Sequence, residues 1–409
     1  MKYVIIGNSA AGIGCVEGIR QTDKDSEIII ISDEPYHTYS RPLISYLLCG
    51  KTNEQAMKYR GDSFYTENNV TLLAPERAAS IDVSGKTVLL ESGKTIPYDK
   101  LLIGTGSSPL IPPMNGLDTV TNKFTFMSLD DAKALERVLE ADRRVLIIGA
   151  GLIGLKCAEG IMDRVKSIEA VDLAPRVLSS ILDDTGAGII QRHLEKKGLI
   201  FHLNQRVDMF DKNRAILKDG AHIQFDILIL AVGVRPSVGL VKDAGGEIGR
   251  AIKINAQMET SLSDVYAAGD CTESLDVSSR ENKVMALLPN AYMQGECAGV
   301  NMAGGSKAFD NAIPLNAIGF LGSHVLTAGT YAGEVHTEYS GKIYKKFFCA
   351  DNRLSGFILI DCVEKAGIYT NLVRTRTPLD TLDTELLFRR PGLIAFMGVE
   401  RKAMLGGVR

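Results

Sequence analysis

Apolar runs of four or five residues punctuate the chain, and two of them lead directly into a glycine-rich turn and then a helical pattern. Tyr3-Val4-Ile5-Ile6 enters Gly7-Asn8-Ser9-Ala10-Ala11-Gly12, and Val145-Leu146-Ile147-Ile148 enters Gly149-Ala150-Gly151-Leu152-Ile153-Gly154. Short unbroken runs of this kind predict parallel strands buried on both faces. The next apolar run in each half ends in acid: residues 28–31 meet Ser32-Asp33-Glu34, and residues 168–171 meet Asp172.

The same grammar continues downstream of each loop. Residues 87–90 and 95–98 flank Gly93 as a hairpin, and Leu101-Leu102-Ile103 then runs into Gly104-Thr105-Gly106-Ser107-Ser108-Pro109. After a Pro-rich joint at 109–113, the second half repeats loop, acid-tipped strand and hairpin near Lys218-Asp219-Gly220. Its strand at 227–230 enters Ala231-Val232-Gly233-Val234-Arg235-Pro236. The repetition predicts an internal duplication. Residues 265–267 form a further strand into Ala268-Gly269-Asp270-Cys271, followed by a small-residue helix through Asn290, Gly295 and Gly299. The final hundred residues alternate short strands, at 345–349 and 357–360, with less regular segments, which predicts an α+β module.

Each glycine in such a turn has a spatial reason. The first permits the sharp bend, the second lets backbone approach a pyrophosphate, and the third packs helix on strand with phosphate at the positive helix end. The second loop has all three, at Gly149, Gly151 and Gly154, with Asp172 at about the 20-residue spacing of a ribose-binding acid. An acid there repels a 2′-phosphate, so the expected ligand is NADH rather than NADPH. The first loop carries Ser9 at the middle position, between Gly7 and Gly12, and either Asp33 or Glu34 is placed to hold an adenosine ribose.

Composition narrows the class. With 409 residues, 45% hydrophobic and 23% charged, the chain is expected to be soluble and globular with two or three cores. The apolar start is too short for a signal-peptide core, and no stretch reaches the 18 or so apolar residues of a membrane span. The seven cysteines include no close pair, which points to a reducing cytoplasm and away from an iron–sulfur or zinc site. The six histidines show no metal-ligand spacing. A net charge of -3 gives no general attraction to nucleic acid, although residues 341–409 carry 12 Lys and Arg against 7 Asp and Glu.

These ordered motifs resemble the two-domain flavoproteins of the pyridine nucleotide-disulfide oxidoreductase superfamily over the whole chain. The resemblance implies an α/β fold of two Rossmann-like dinucleotide-binding domains, arranged as in glutathione reductase, with a C-terminal α+β domain. It implies a split FAD-binding domain at 1–113 and 254–311, an NAD-binding domain at 114–253 and an interface domain at 312–409. Gly7, Ser9, Ala10, Ala11 and Gly12 would then hold FAD and Gly149, Gly151, Leu152, Ile153 and Gly154 NADH. Thr105 and Gly106 resemble the segment linking the domains, Gly269-Asp270 the motif that binds the ribityl chain, and Gly233-Val234 the exit of the NAD domain. Pro289-Asn290-Ala291 is expected at the isoalloxazine, and Arg77-Ala78 resembles a backbone clamp on the adenine. Tyr39-Ser40-Arg41-Pro42-Leu43 and Gly319-Phe320-Leu321-Gly322 look most like NADH:rubredoxin oxidoreductases and the flavin portion of assimilatory nitrite reductases.

One departure bears on the chemistry. Disulfide reductases of this superfamily carry a redox cysteine where this chain has Arg41 and Pro42, so electrons are expected to leave from the flavin directly. Cys49 lies about two helical turns beyond and reads as packing, as does Cys271. Arg41 is either a cofactor contact or a solvated loop charge. Many relatives have glutamate at the position of Lys156, so Lys156 pairs either with Glu159 at the nicotinamide or as an exposed helix salt bridge. Tyr36, Tyr39 and Tyr46 form a flavin wall or pack between domains. The pairs Lys345-Lys346, Arg374-x-Arg376, Arg389-Arg390 and Arg401-Lys402 either steer an acidic electron carrier or form a solvated face.

The expected function is an FAD-dependent NADH oxidoreductase without an acid–base catalytic residue of its own. It would exchange electrons with a small acidic iron–sulfur or rubredoxin-type partner, in either direction, alone, as a homodimer or as the NAD-facing subunit of a larger redox complex. The alternatives are an NADH oxidase that reduces oxygen to peroxide, and a flavin-binding redox sensor or assembly protein.

Overall fold

Strand pairing follows the apolar runs. In the computed structural model, which describes residues 1–397 and 401, Lys2–Ile6 lies between Glu27–Ile31 and Lys100–Ile103 in an all-parallel sheet. Val70–Leu73 and Val265–Ala267 form its two edges. A second parallel sheet repeats the arrangement with Arg144–Ile148 between Ser167–Asp172 and Ile227–Leu230, flanked by Leu199–Leu203 and Lys123–Phe124. The duplication extends to the lower ends of the strands: the Asp99 carboxylate accepts from Lys2 N at 2.7 Å, and Asp226 from Arg144 N at 2.9 Å.

Alternation along the first sheet decides what covers each face. Tyr3, Ile5, Ile28 and Ile30 share a core with Ile13, Val16, Cys297 and Met302 of two helices, Ala10–Thr22 and Leu288–Met302. Val4, Ile6, Ile29 and Ile31 share the opposite core with Val88, Leu90 and Ile96 of the antiparallel sheet Ala78–Asp82, Thr87–Leu90, Thr95–Pro97. In the second half, Leu146, Ile148, Leu228 and Leu230 likewise pack with Phe210, Leu217, Ile223 and Phe225 of a three-stranded antiparallel sheet. The joint between the halves is itself a ribbon, Ser107–Pro109 running antiparallel to Val234–Pro236.

The two helices on the first sheet approach until backbone meets backbone. A Cβ added to Gly14 would lie 2.3 Å from Tyr292 O, and one on Gly18 2.2 Å from Glu296 O. From the other helix, a Cβ on Gly295 would lie 2.0 Å from Ala11 O and one on Gly299 2.1 Å from Cys15 O. Four glycines thus interleave along one seam. The expected small-residue helix through Asn290, Gly295 and Gly299 is Leu288–Met302, and two strands that the sequence did not announce precede it, Thr272–Asp276 and Glu281–Val284. Thr272, Glu273, Ser274 and Asp276 are polar yet buried, so no hydrophobic period announces that strand.

The chain separates into two compact units: residues 1–180, 194–274 and 283–309, and residues 181–193, 275–282 and 310–409. The second unit is α+β. Its antiparallel sheet runs Leu315–Phe320, Ser323–Gly329, Arg353–Ile360, Ile343–Ala350, Glu334–Ser340 in spatial order. Tyr369, Leu372 and Val373 of the helix Ala366–Thr375 pack with Phe347, Phe357 and Leu359 of that sheet. Gly319-Phe320-Leu321-Gly322 forms the tip of its first hairpin, with Leu321 and Gly322 at positive φ. Among the described residues no helix is long and apolar enough to cross a membrane.

The glycine seam gives a direct test. Gly295→Val forces the two helices apart and is expected to cost about 3 kcal/mol, the upper end of overpacking. Gly239→Ala, whose methyl meets open space at the start of a helix, is expected to leave the midpoint of denaturant unfolding unchanged. Equal midpoints for the two variants would refute the close contact.

Candidate functional site

The two loops are built alike at atomic scale. Gly7 and Gly149 take φ of 116° and 111°, and a Cβ on them would lie 2.2 Å from Gly104 O and 2.3 Å from Ala231 O. A Cβ on Gly12 or Gly154 would lie 2.0 or 2.1 Å from the carbonyl oxygen of Gly7 or Gly149. The middle residues, Ser9 and Gly151, are the N-caps of Ala10–Thr22 and Leu152–Ile161, both extended and neither giving a side-chain cap. The first-turn N–H groups therefore face outward at the positive helix end, the arrangement that receives a phosphate. A Cβ on Gly151 meets nothing within 4 Å, so the ground before this helix is open. Both loops fit a dinucleotide pyrophosphate.

The acids at the strand ends separate. Asp33 is exposed, whereas Glu34 turns inward and accepts from Arg41 Nη2 at 2.7 Å and from Tyr39 Oη at 3.0 Å. Asp172 binds its own loop, accepting from Ala150 N at 2.7 Å and Ala174 N at 2.8 Å. One bond to each carboxylate oxygen leaves acceptor capacity for a ribose hydroxyl.

Arg41 is engaged and is no freely solvated charge. Besides Glu34, it donates to Met127 O at 3.3 Å and lies 5.3 Å from the Tyr39 ring centroid. Burial opposes its charge, but Tyr39 and Glu34 outweigh that and raise the guanidinium above its ordinary range. Two of the tyrosines bind a neighbouring helix: Tyr39 Oη accepts from Leu129 N at 2.9 Å, and Tyr36 hydrogen-bonds Asp130. Both therefore grip the start of the helix Leu129–Glu136. Tyr46 lies under Lys156, whose Nζ stands 4.5 Å from the ring centroid while pairing with Glu159. Side-chain exposures of 18% and 6% for Lys156 and Glu159 make this a buried pair, not an exposed helix salt bridge.

Two distant motifs converge beside the first loop. A Cβ on Gly269 would lie 3.3 Å from Ala11 Cβ and 3.5 Å from Ala291 Cβ. This brings the loop, the Gly269-Asp270 turn and the Pro289-Asn290-Ala291 helix start together. Burial raises the Asp270 carboxyl above its usual range, against the Ser107 hydrogen bond and the Arg41 charge. Gln294, which the motif reading did not single out, holds the turn: buried, it accepts from Gly269 N at 2.8 Å and donates to Ser274 Oγ at 3.1 Å. Tyr65 likewise fixes the first loop through Asn8 Oδ1 at 2.9 Å. Neither belongs to a recurring motif.

The linker residues bind one another. Thr105 Oγ1 donates to Ser237 O at 2.7 Å, Ser237 N to Gly106 O at 2.9 Å, and Leu110 N to Gly233 O at 3.0 Å, beside Val234 in the ribbon. Arg77 points to solvent against Glu91 at 3.7 Å, and its carbonyl accepts from Glu91 N at 2.8 Å.

All seven cysteines are free thiols. Cys271 is fully buried, and burial pushes its thiol up. Cys49 donates to Tyr46 O at 3.5 Å. Among the described residues no three His, Cys, Asp or Glu side chains are grouped to hold a metal ion.

The chain is 30% identical over 395 residues to the epsilon subunit of an NADH-dependent phenylglyoxylate dehydrogenase from Aromatoleum evansii, covering 93% of each chain. It is 29% identical over 312 residues to a rubredoxin-NAD(+) reductase of Pseudomonas putida, covering 75% of this chain and 81% of that one. Its fold matches the reductase in a covalent putidaredoxin reductase–putidaredoxin complex with a TM-score of 0.88 at 22% identity, over 100% and 99% of the two chains. Residues 1–295 match the model of the pyridine nucleotide-disulphide oxidoreductase family, and the chain belongs to that family.

Proposed function

We propose that the chain is an FAD-dependent NADH oxidoreductase that passes electrons between NADH and a separate iron–sulfur or rubredoxin-type protein, either alone or as the NAD-facing subunit of a larger complex. The observation that carries this reading is the pair of matched loops, with Arg41 and Pro42 standing beside the first where a disulfide reductase has its thiol. FAD, when bound, accepts electrons from NADH as a pair and releases them singly to iron centres.

The half formed by residues 1–113 and 254–311 holds FAD, and residues 114–253 hold NADH. The separate parallel sheets support that division. Backbone N–H groups at Ser9, Ala10, Ala11 and Gly12 receive the FAD pyrophosphate, Glu34 the ribose and Asp270 the ribityl chain. Arg41, held by Glu34, adds fixed positive charge, and the Ala291 end of its helix supports the ring. Gly151, Leu152, Ile153 and Gly154 receive the NADH pyrophosphate, with Asp172 on the adenosine ribose. Lys156 sets a half-buried cation, paired with buried Glu159, where the two halves meet through Tyr46.

The partner is a small acidic carrier. Its docking on the C-terminal unit narrows to few cations, because Lys345 pairs with Glu338 at 2.9 Å, Lys346 with Asp183 at 2.6 Å and Arg389 with Glu385 at 3.5 Å. Lys402 lies outside the described residues. Seven free thiols suit a reducing cytoplasm.

Absorbance of the purified protein before and after anaerobic NADH tests the core of this reading: a flavin band that bleaches is expected. Reoxidation should then be faster with an added rubredoxin than with oxygen. Rapid oxygen turnover with no carrier reduction would replace it with an oxidase. Asp172→Ala is expected to narrow the NADH preference over NADPH about tenfold, the scale of one lost charge-assisted hydrogen bond. An unchanged ratio of kcat/KM values would take Asp172 off the ribose. Lys156→Met is expected to slow NADH-driven bleaching roughly tenfold, equivalent to about 1.4 kcal/mol at the transition state. Stopped-flow rates equal to the parent's would reduce Lys156 to a packing residue.

A further inference from the structure

The C-terminal unit contains a cavity of about 120 Å³ whose polar lining is Ser278, Ser279, Ser355, the three arginines Arg280, Arg353 and Arg376, and one acid, Asp351. That is several times the space one water requires. Three separate segments supply the arginines: the turn after Thr272–Asp276, the first residue of Arg353–Ile360, and the C-cap of Ala366–Thr375.

Two of the guanidiniums are fixed by main chain. Arg353 Nη1 donates to Arg376 O at 2.6 Å, and Arg376 Nη1 donates to Val277 O at 2.9 Å. Both side chains are half-buried, and most of each fork's five N–H donors remains uncommitted. Among the described residues no ion pair holds Arg280, Arg353 or Arg376. Burial, Arg280 and Arg353 together push the Arg376 guanidinium below its ordinary range, against the charge of exposed Asp351 at the cavity wall, so three cations face one acid there.

The hydroxyls do not compete as donors. Ser278 and Ser279 give their protons to the Asp276 carboxylate at 2.6 and 2.8 Å, and Ser355 donates to Ala332 O at 2.8 Å. The free donors are therefore guanidinium N–H groups, converging from three directions on a concave wall. A single carboxylate offers two oxygens and satisfies one fork. A phosphate offers three or more oxygens and up to two charges, which matches several forks at once.

We propose that this cavity binds a phosphate group, carried by a phosphate monoester or as free phosphate. The site is independent of the nucleotide loops and does not rest on the assignment of FAD and NADH.

The test uses the full-length protein saturated with FAD and NAD, so that both loops are filled. Inorganic phosphate is titrated at constant ionic strength against chloride, with the thermal midpoint and titration calorimetry as readouts. A saturable rise in phosphate and none in chloride is expected. Arg376→Gln and Arg280→Gln should each weaken phosphate about tenfold while leaving NADH bleaching of the flavin unchanged. Arg280 is exposed and carries no side-chain hydrogen bond, so its variant retains the fold even if the Arg376 variant does not. A hexose phosphate that binds more tightly than inorganic phosphate identifies a monoester as the occupant; equal or weaker binding identifies the free ion. Equal midpoint rises in phosphate and chloride, or undiminished phosphate affinity in Arg280→Gln, would overturn the proposal. So would a defect confined to reduction of an added acidic carrier, which would make the arginines a docking patch.

Discussion

The backbone contact between the helices Ala10–Thr22 and Leu288–Met302 is the constraint on which the first half depends. Side chains at Gly14, Gly18, Gly295 or Gly299 would separate the axes, because each added Cβ falls about 2 Å from a carbonyl oxygen of the facing helix. With the axes this close, Ala11, Gly269 and Ala291 meet, and the N-terminal end of one helix lies beside the start of the other. Gln294 then reaches the Gly269 amide from a buried position on the same seam. Dispersion and hydrophobic burial hold the seam, but the glycines determine where it lies.

The duplicated halves show how one design diverges in its acids. Asp172 belongs to its strand and spends one hydrogen bond on each of two amides of its own turns. Glu34 lies beyond the strand end, where Arg41 and Tyr39 gather it into a network reaching Leu129. The first acid is rigid through backbone and the second through side chains. The two acids therefore differ in what a substitution disturbs: the turn itself in one case, and a contact between neighbouring segments in the other.

Legibility followed the length scale of each signal. Strands such as Lys2–Ile6 and Arg144–Ile148 were readable because they are apolar throughout, and the loops because glycine is required at fixed spacing. Thr272–Asp276 was not, because its buried residues are polar and satisfied by partners such as Gln294 and by turns of its own chain. The pairing of Lys156 with Glu159 was legible from helical spacing, yet its burial was not, since Tyr46 comes from a segment more than a hundred residues earlier. The convergence of Arg280, Arg353 and Arg376 is of the same kind. No local pattern marks residues that only tertiary packing brings together, and a count of basic residues in 341–409 could not distinguish Lys346, already paired with Asp183, from Arg376.

The ribbon of Ser107–Pro109 and Val234–Pro236 joins the two halves through main-chain atoms, with Leu110 N on Gly233 O and Ser237 N on Gly106 O. Amide and carbonyl groups are common to nearly every residue, so this joint is insensitive to the identity of most side chains along it. A side-chain substitution along the ribbon that keeps its backbone path therefore leaves the joint between the two halves in register.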